Sequence, residues 1–348
     1  MSGRTVSIEG FASRVGGADP RMSLPELIFE VVSQALCNAG CTMGQVDGVV
    51  IAAHDLIDGR SLSSMITGPA AGAYLRDEIR VSDDALVAVS LAAARLQAGE
   101  GSKVVVASWG RASEGDPDRT ATAGLDPFTE KPVLPSRAVI SALRASAYLR
   151  THSSVGRQAA RTARESRAQA NPWAVPAPRG ALVYPLLAGE GSVDADVVAA
   201  VVLGRDPSPV TITGIGHGTE RARLVDRSMT ELPGATAAVS RASSAARCAA
   251  STVDAVEVAG ASLFEELMLL EAAGVAAPGS GLMHFAETPW INASGGSLAG
   301  DCYPCSGLLR LTDAARALGR SGGPRSALVA ASSAVAMQTT TAIILEAT

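Results

Sequence analysis

Residues 300–307 read Gly-Asp-Cys-Tyr-Pro-Cys-Ser-Gly, and they place two thiols, a carboxylate and a phenol within five positions. A Cys-x-x-Cys pair suits thiol–disulfide exchange or half of a zinc site. Zinc needs about four ligands, and the chain carries no second pair, so Cys302 and Cys305 also read as two small buried side chains. A second group of charges is Arg157, Arg161, Arg164 and Arg167, spaced three or four apart and hence on one face of a helix. Guanidiniums in that array suit phosphate oxygens, and equally a solvated helix face. The run Gly214-Ile215-Gly216-His217-Gly218 has two glycines in the order of a phosphate loop but lacks the third, so it is set aside as a nucleotide site. His54, His152, His217 and His284 have no cysteine or serine at a recognisable spacing and read as ordinary loop histidines.

The elements that must position these groups follow from apolar periodicity. Thr5–Glu9 reads as a strand, and Ser23-Leu24-Pro25-Glu26 has capping-box spacing that opens a helix to about Asn38. Residues 46–53 read as a buried strand. Asp83 and Asp84 precede an apolar stretch to Leu96 that is interrupted by Ser90 and Arg95 only, which predicts a helix in the middle of the molecule with the aspartates as caps. Residues 104–109 form the next buried strand. Residues 111–190 are richer in Arg, Pro and Ser and carry helical periodicity over 137–150 and 154–169, which predicts an inserted excursion. Strands return at 196–203 and 210–215. Residues 253–260 echo 46–53, while 313–318 followed by 326–332 echo the helix–turn–strand over 92–108. The halves of an α/β duplication are therefore 1–110 with 191–209, and 210–348.

Composition narrows the class. The 348 residues are 47% hydrophobic and 18% charged, with net charge −5, which fits an ordered globular chain and disfavours a phosphate-backbone binder. With 3 Trp, 4 Tyr and 5 Phe, base-stacking platforms are not expected, and no nucleic-acid partner is. No run of 18 apolar residues occurs, and Met1–Gly10 has no apolar signal core, so no membrane association is expected. Five dispersed cysteines fit a reducing compartment, hence a cytoplasmic expectation.

Taken in order, several segments resemble the thiolase superfamily, in its sterol-carrier and lipid-transfer branch. Leu91–Ser108 is similar to the segment after that family's nucleophile. Asn171-Pro172-Trp173-Ala174, followed by Tyr184-Pro185-Leu186, resembles the end of its loop domain. Asp196–Leu203 is similar to a family strand, with Val197 in place of a usual glycine. Val256–Ala273 resembles the segment around its His-Asp-Ala-Phe or Asn-Glu-Ala-Phe motif, and Asn292-Ala293-Ser294-Gly295-Gly296 matches Asn-x-x-Gly-Gly. The resemblance implies a duplicated, five-layered αβαβα fold with an inserted loop domain. It also implies dimers of thiolase-fold chains, like or unlike, and acyl groups carried as coenzyme A thioesters, with no tightly bound cofactor and no metal.

The same resemblance exposes what is missing. The family's cysteine nucleophile sits at a helix N-terminus, where the positive helix end lowers its pKa; here Asp83 and Asp84 stand in that place. The first residue of its His-Asp-Ala-Phe motif falls on Ala259, its catalytic histidine loop on 300–307, and its C-terminal Cys-x-Gly on Ser332-Ser333-Ala334. Two expectations follow. One is a catalytically degenerate subunit whose partner is a second thiolase-fold chain or a small zinc-ribbon/OB-fold protein. The other is an aldolase or acyltransferase with Tyr303, Cys302 or Asp301 in the replaced roles, since some lipid-transfer-type members are aldolases with tyrosine in this region. Arg157, Arg161 and Arg164 are the expected coenzyme A contacts on the inserted excursion.

Overall fold

The computed structural model describes residues 5–19, 21–58, 63–134, 136–176, 183–333 and 336–348. Ala334 and the first four residues, named above, lie outside them.

Strand β1 (Val6–Gly16) runs farther than its apolar start suggests, and α1 (Leu24–Asn38) follows it. The capping box forms as expected: Ser23 Oγ accepts from the Glu26 N–H, and the Glu26 carboxylate accepts from the Ser23 N–H at 2.7 Å. One face of α1, including Leu27, Ile28, Val31 and Val32, is buried. The helix comes close enough to β1 that a Cβ on Gly10 would lie 2.4 Å from the Ala35 carbonyl oxygen. Then come β2 (Gly48–Ala52), α2 (Asp55–Asp58), α3 (Ser63–Ala70), β3 (Asp77–Val81), α4 (Ala85–Ala98) and β4 (Lys103–Arg111). Three helices, α5 (Pro117–Thr122), α6 (Arg137–Thr151) and α7 (Arg157–Ala170), separate β4 from its antiparallel neighbour β5 (Asp196–Gly204).

The second half repeats the plan: β6 (Val210–Thr219), α8 (Pro233–Ala246), β7 (Ala255–Ala259), α9 (Leu263–Ala272), α10 (Gly281–Glu287), α11 (Ser306–Leu318), β8 (Ser326–Ser333) and β9 (Thr339–Ala347). Among the described residues the nine strands hydrogen-bond in the order β3-β2-β4-β5-β1-β6-β9-β8-β7. Outward from the β1–β6 seam the two halves are related strand for strand. Only an isolated bridge, Val256 to Ile291, stands where the second half needs a counterpart of β3. Even the irregularities repeat. β1 shifts register between Ile8 and Gly10, and β6 between Ile212 and Gly214. A Cβ on Gly214 would meet the Ala242 carbonyl of α8 at 2.1 Å, just as Gly10 meets α1.

The layers follow from which faces are apolar. α4 and α11 pack together between the two half-sheets, with Leu86, Val89, Leu308 and Leu311 in one buried cluster. α1 covers the outside of the first half-sheet, and α8 and α9 that of the second. This is the expected five-layered αβαβα arrangement. Two readings need correction. α4 is central but not enclosed all round, because Leu91 is 38% exposed. The helix expected over 313–318 begins at Ser306, so the Cys-x-x-Cys loop opens directly into the second central helix. The excursion leaves the first half and packs on the second, α6 against α9 and α7 against α10.

Candidate active site

The N-termini of α4 and α11 meet, and Asp84 lies between them. Its Oδ1 accepts from the Leu86 N–H (2.9 Å), and its Oδ2 accepts from the Gly307 N–H (2.9 Å). The Ala85 N–H donates to the Pro304 carbonyl at 2.9 Å, tying the two helix starts together. A carboxylate at two converging positive helix ends satisfies orphan donors of both. Burial works against the charge, and it pushes the Asp84 pKa up to about 7 despite the two N–H donors. Asp83 beside it accepts from Ser333 Oγ and from the Asp84 N–H, with Thr339 Oγ1 at 3.4 Å. Both aspartates therefore cap and brace the start of α4.

The loop carrying Asp301, Cys302 and Tyr303 is pinned to the chain entering β5. The Asp301 N–H donates to the Val193 carbonyl (2.8 Å), and the Ala195 N–H donates to the Asp301 carbonyl (3.0 Å). Asp301 Oδ1 is buried with no hydrogen-bond partner, and burial raises its pKa. The thiols behave differently. Cys302 packs on Gly110, where a Cβ would come within 2.4 Å of its Sγ, and burial drives its pKa well above the ordinary value. Cys305 is buried, donates to the Ser108 carbonyl (3.4 Å), and is raised for the same reason. Neither thiol is in a setting that generates the nucleophilic thiolate. Among the described residues, no group of three or more His, Cys, Asp or Glu is placed to hold a metal.

Tyr303 Oη donates to the Ser82 carbonyl at 2.7 Å, and burial with the nearby charges of Asp83 and Asp84 raises its pKa. It is a neutral phenol at any physiological pH, hence a proton donor and not a base. His54, at the exit of β2, faces it with ring centroids 6.3 Å apart. Its Nδ1 accepts from the Leu56 N–H (3.3 Å), an assignment that leaves the proton of the neutral ring on Nε2. Burial lowers its pKa, so this neutral, N–H-bearing form prevails. His54 was read from sequence as an ordinary loop histidine; its position just past a core strand was the one signal available.

These groups share a pocket of about 270 Å³. Its wall includes His54, Asp301, Cys302 and Tyr303, together with Ala259 and Ser332. Ala259, the 301–303 loop and Ser332 are thus brought to one pocket, while Asp83 and Asp84 are not in its wall. Ala259 contributes only a methyl group, and Ser332 Oγ is engaged with Thr340 Oγ1 at 2.8 Å. Arg137 from α6 and Glu265 from α9 close the far side.

The three arginines expected to bind coenzyme A lie elsewhere, and Arg157 and Arg164 have most of their donors in use. Arg164 is buried and pairs with Glu266 (2.9 Å). Its remaining donors go to the carbonyls of Gly189 and Gly191 and to Ser297 Oγ. Arg157 pairs with Glu190 (2.7 Å) and lies over the Phe264 ring. Arg161 donates to Gln158. Arg157 and Arg164 hold the chain entering β5 against α7 and α9, and Arg164 has no donor left for a phosphate, which corrects the expected contact there.

No protein-family model matches the chain, and no curated protein does. Solved structures match it along its whole length, and they define its class as that of the thiolase fold. The chain is similar to the Ltp2-ChsH2(DUF35) aldolase, at TM-score 0.80 and 22% identity, with 100% of this chain and 99% of the other covered. It is similar to human mitochondrial 3-ketoacyl-CoA thiolase, at TM-score 0.73 and 15% identity, covering 99% of both. A monomeric SCP2-thiolase like protein type 1 from Mycobacterium smegmatis matches at TM-score 0.71 and 17% identity, over 99% of this chain and 78% of the other. No helix among the described residues is long and apolar enough to cross a membrane.

Proposed function

We propose that this chain acts on acyl thioesters, with coenzyme A as the carrier, and makes or breaks a carbon–carbon bond by aldol chemistry without an acyl-enzyme intermediate. The observation that carries the reading is that the Asp301 carboxyl, with one oxygen lacking a hydrogen bond, the Tyr303 phenol and the His54 ring line one pocket whose thiol, Cys302, is raised by burial. A retro-aldol step needs no nucleophile. Asp301 takes the proton of the β-hydroxyl, the C–O bond becomes a carbonyl, and the Cα–Cβ bond breaks. Its electron pair passes onto the thioester oxygen as an enolate, which is then protonated at Cα. His54 offers its N–H to the oxygen where charge develops, and the Tyr303 O–H joins it by turning away from the Ser82 carbonyl it holds in the free chain. Cys302 and Cys305 serve as packing beneath the loop.

The likeness to an aldolase assembled from two proteins supports the accompanying proposal of a heteromeric state, with a DUF35-type zinc-ribbon/OB-fold partner or a second thiolase-fold chain. The cytoplasm suits such a pathway and the free cysteines. A second reading, a degenerate subunit that shapes a partner's site, is favoured by Asp84, a carboxylate tied up by two helix N-termini at the place that the resemblance to thiolases gives to a nucleophile.

The test offers 3-hydroxyacyl-CoA compounds to the chain, alone and co-expressed with a candidate partner, and follows release of a shorter acyl-CoA and a carbonyl compound. Turnover that disappears in Tyr303→Phe and Asp301→Asn, with folding intact, supports the aldol reading. Turnover indifferent to both substitutions moves the chemistry to the partner and leaves the subunit reading.

A further inference from the structure

The charges around the pocket bear on which carbonyl compound the proposed reaction releases or takes up, an inference that rests on the aldol reading. Arg137 is the one Lys or Arg side chain in the pocket wall among the described residues. It is already held from both sides. Its Nη2 donates to both oxygens of Asp194 (2.9 and 2.7 Å), and its Nε donates to Asp118 Oδ1 (3.3 Å). The Arg137 backbone N–H donates to the same Asp118 oxygen at 3.0 Å. Two carboxylates around one guanidinium leave the group net negative even if Asp301 and Glu265 are protonated. Glu265 is also committed, accepting from Ser141 Oγ (3.1 Å) and from the Ala261 N–H (2.7 Å). Much of the remaining wall is apolar, with Ile57, Pro117, Ala121, Ala123, Ile140 and Met337.

An anionic fragment entering this pocket would meet a net negative group in which Nε and Nη2 of Arg137, one edge of its fork, are already occupied and only Nη1 is outside the two ion pairs. An anion left without a full partner is a device for rejecting ligands. We propose that the pocket takes an uncharged, mainly apolar aldehyde or ketone and rejects 2-oxo acids. Asp118 and Asp194 set this preference by sequestering Arg137. The pair acts on specificity and takes no part in proton transfer.

The test is an NMR titration of the full chain with two probes of one skeleton, 4-methylpentan-2-one and 4-methyl-2-oxopentanoate. The expected result is that the ketone binds at least about tenfold more tightly than the 2-oxo acid. Asp118→Asn with Asp194→Asn frees a charge-assisted donor pair and narrows that ratio by about tenfold. Both carboxylates are close to half exposed, so the substitutions are tolerable, and Asp118→Asn alone gives a smaller narrowing in the same direction. Equal affinities in the unsubstituted chain, a ketone that does not bind, or a ratio unmoved by either variant would overturn the inference. Binding requires no turnover. An inactive chain that still prefers the ketone would sink the aldol reading alone, and an active chain without the preference would sink this inference alone.

Discussion

At the scale of single residues, the account turns on what burial does to four groups. Cys302 and Cys305 are raised into inert thiols, Tyr303 is held neutral as a donor, and His54 is kept unprotonated with its N–H outward. In the pocket wall, Asp301 keeps one buried oxygen without a hydrogen bond, while its carboxyl also accepts from Ser306. Removing the Tyr303 hydroxyl as Tyr303→Phe should lower kcat by about 10² or more, the range for a lost oxyanion donor, with an unchanged circular dichroism spectrum. Asp301→Asn should cost about 10²–10⁴, as for a general base. Because the Asp301 pKa is raised, the acid limb of the pH–rate profile should lie above the ordinary carboxylate range. A limb near pH 4 would remove Asp301 from the role. The relation between His54 and Tyr303 was not legible in the sequence, since 249 positions separate them. The committed state of Arg164 was hidden for the same reason, because its partner Glu266 lies on another helix.

At the scale of elements, the site is made by two helix starts closing on one carboxylate. Gly307 permits the closure: a Cβ there would lie 2.1 Å from Asp84 Oδ1 and 2.9 Å from the Ala331 Cβ. Gly307→Ala should therefore destabilise the chain by about 1–3 kcal/mol, the usual range for overpacking, read as a lower urea midpoint at unchanged slope. An unshifted midpoint would show that α4 and α11 part easily and that Asp84 does not lock them. The elements were largely readable. Asp83-Asp84 before an apolar run announced α4, the capping box announced α1, and the echo of residues 46–53 at 253–260 announced the duplication. Not read at all were several elements of the second half, α8, α10 and β9 among them. β3 escaped because its side chains are exposed or half-buried with no apolar run, and the first turns of α11 because Cys305 and Gly307 disguise them as loop. A polar edge strand and a helix opening in small residues have weak periodicity, so tertiary packing decides them.

At the scale of the molecule, duplication places two chemically different walls against one central pair of helices, and buried acids gather there. Asp84 and Glu257 are both raised to about 7, and Glu265 and Asp301 are raised as well, in each case by burial first. A carboxyl raised in the folded state binds more protons folded than unfolded, so stability falls as pH climbs from the unfolded value through the folded one. His54 and His217 are lowered by burial and act oppositely, but only below about pH 6.5. From pH 6.5 to 8 the chain should lose about 1–2 kcal/mol of unfolding free energy, seen as a falling urea midpoint. A rising midpoint over that window would mean these carboxyls are ionised in the fold. The most direct test of the central claim is intact-protein mass spectrometry during incubation with a 3-hydroxyacyl-CoA that is being turned over. The account predicts release of a shorter acyl-CoA and a carbonyl compound while the protein mass stays that of the bare chain. An acyl adduct on the chain that forms and decays at the rate of turnover would contradict it, because a nucleophile would then be at work in a pocket read here as having none.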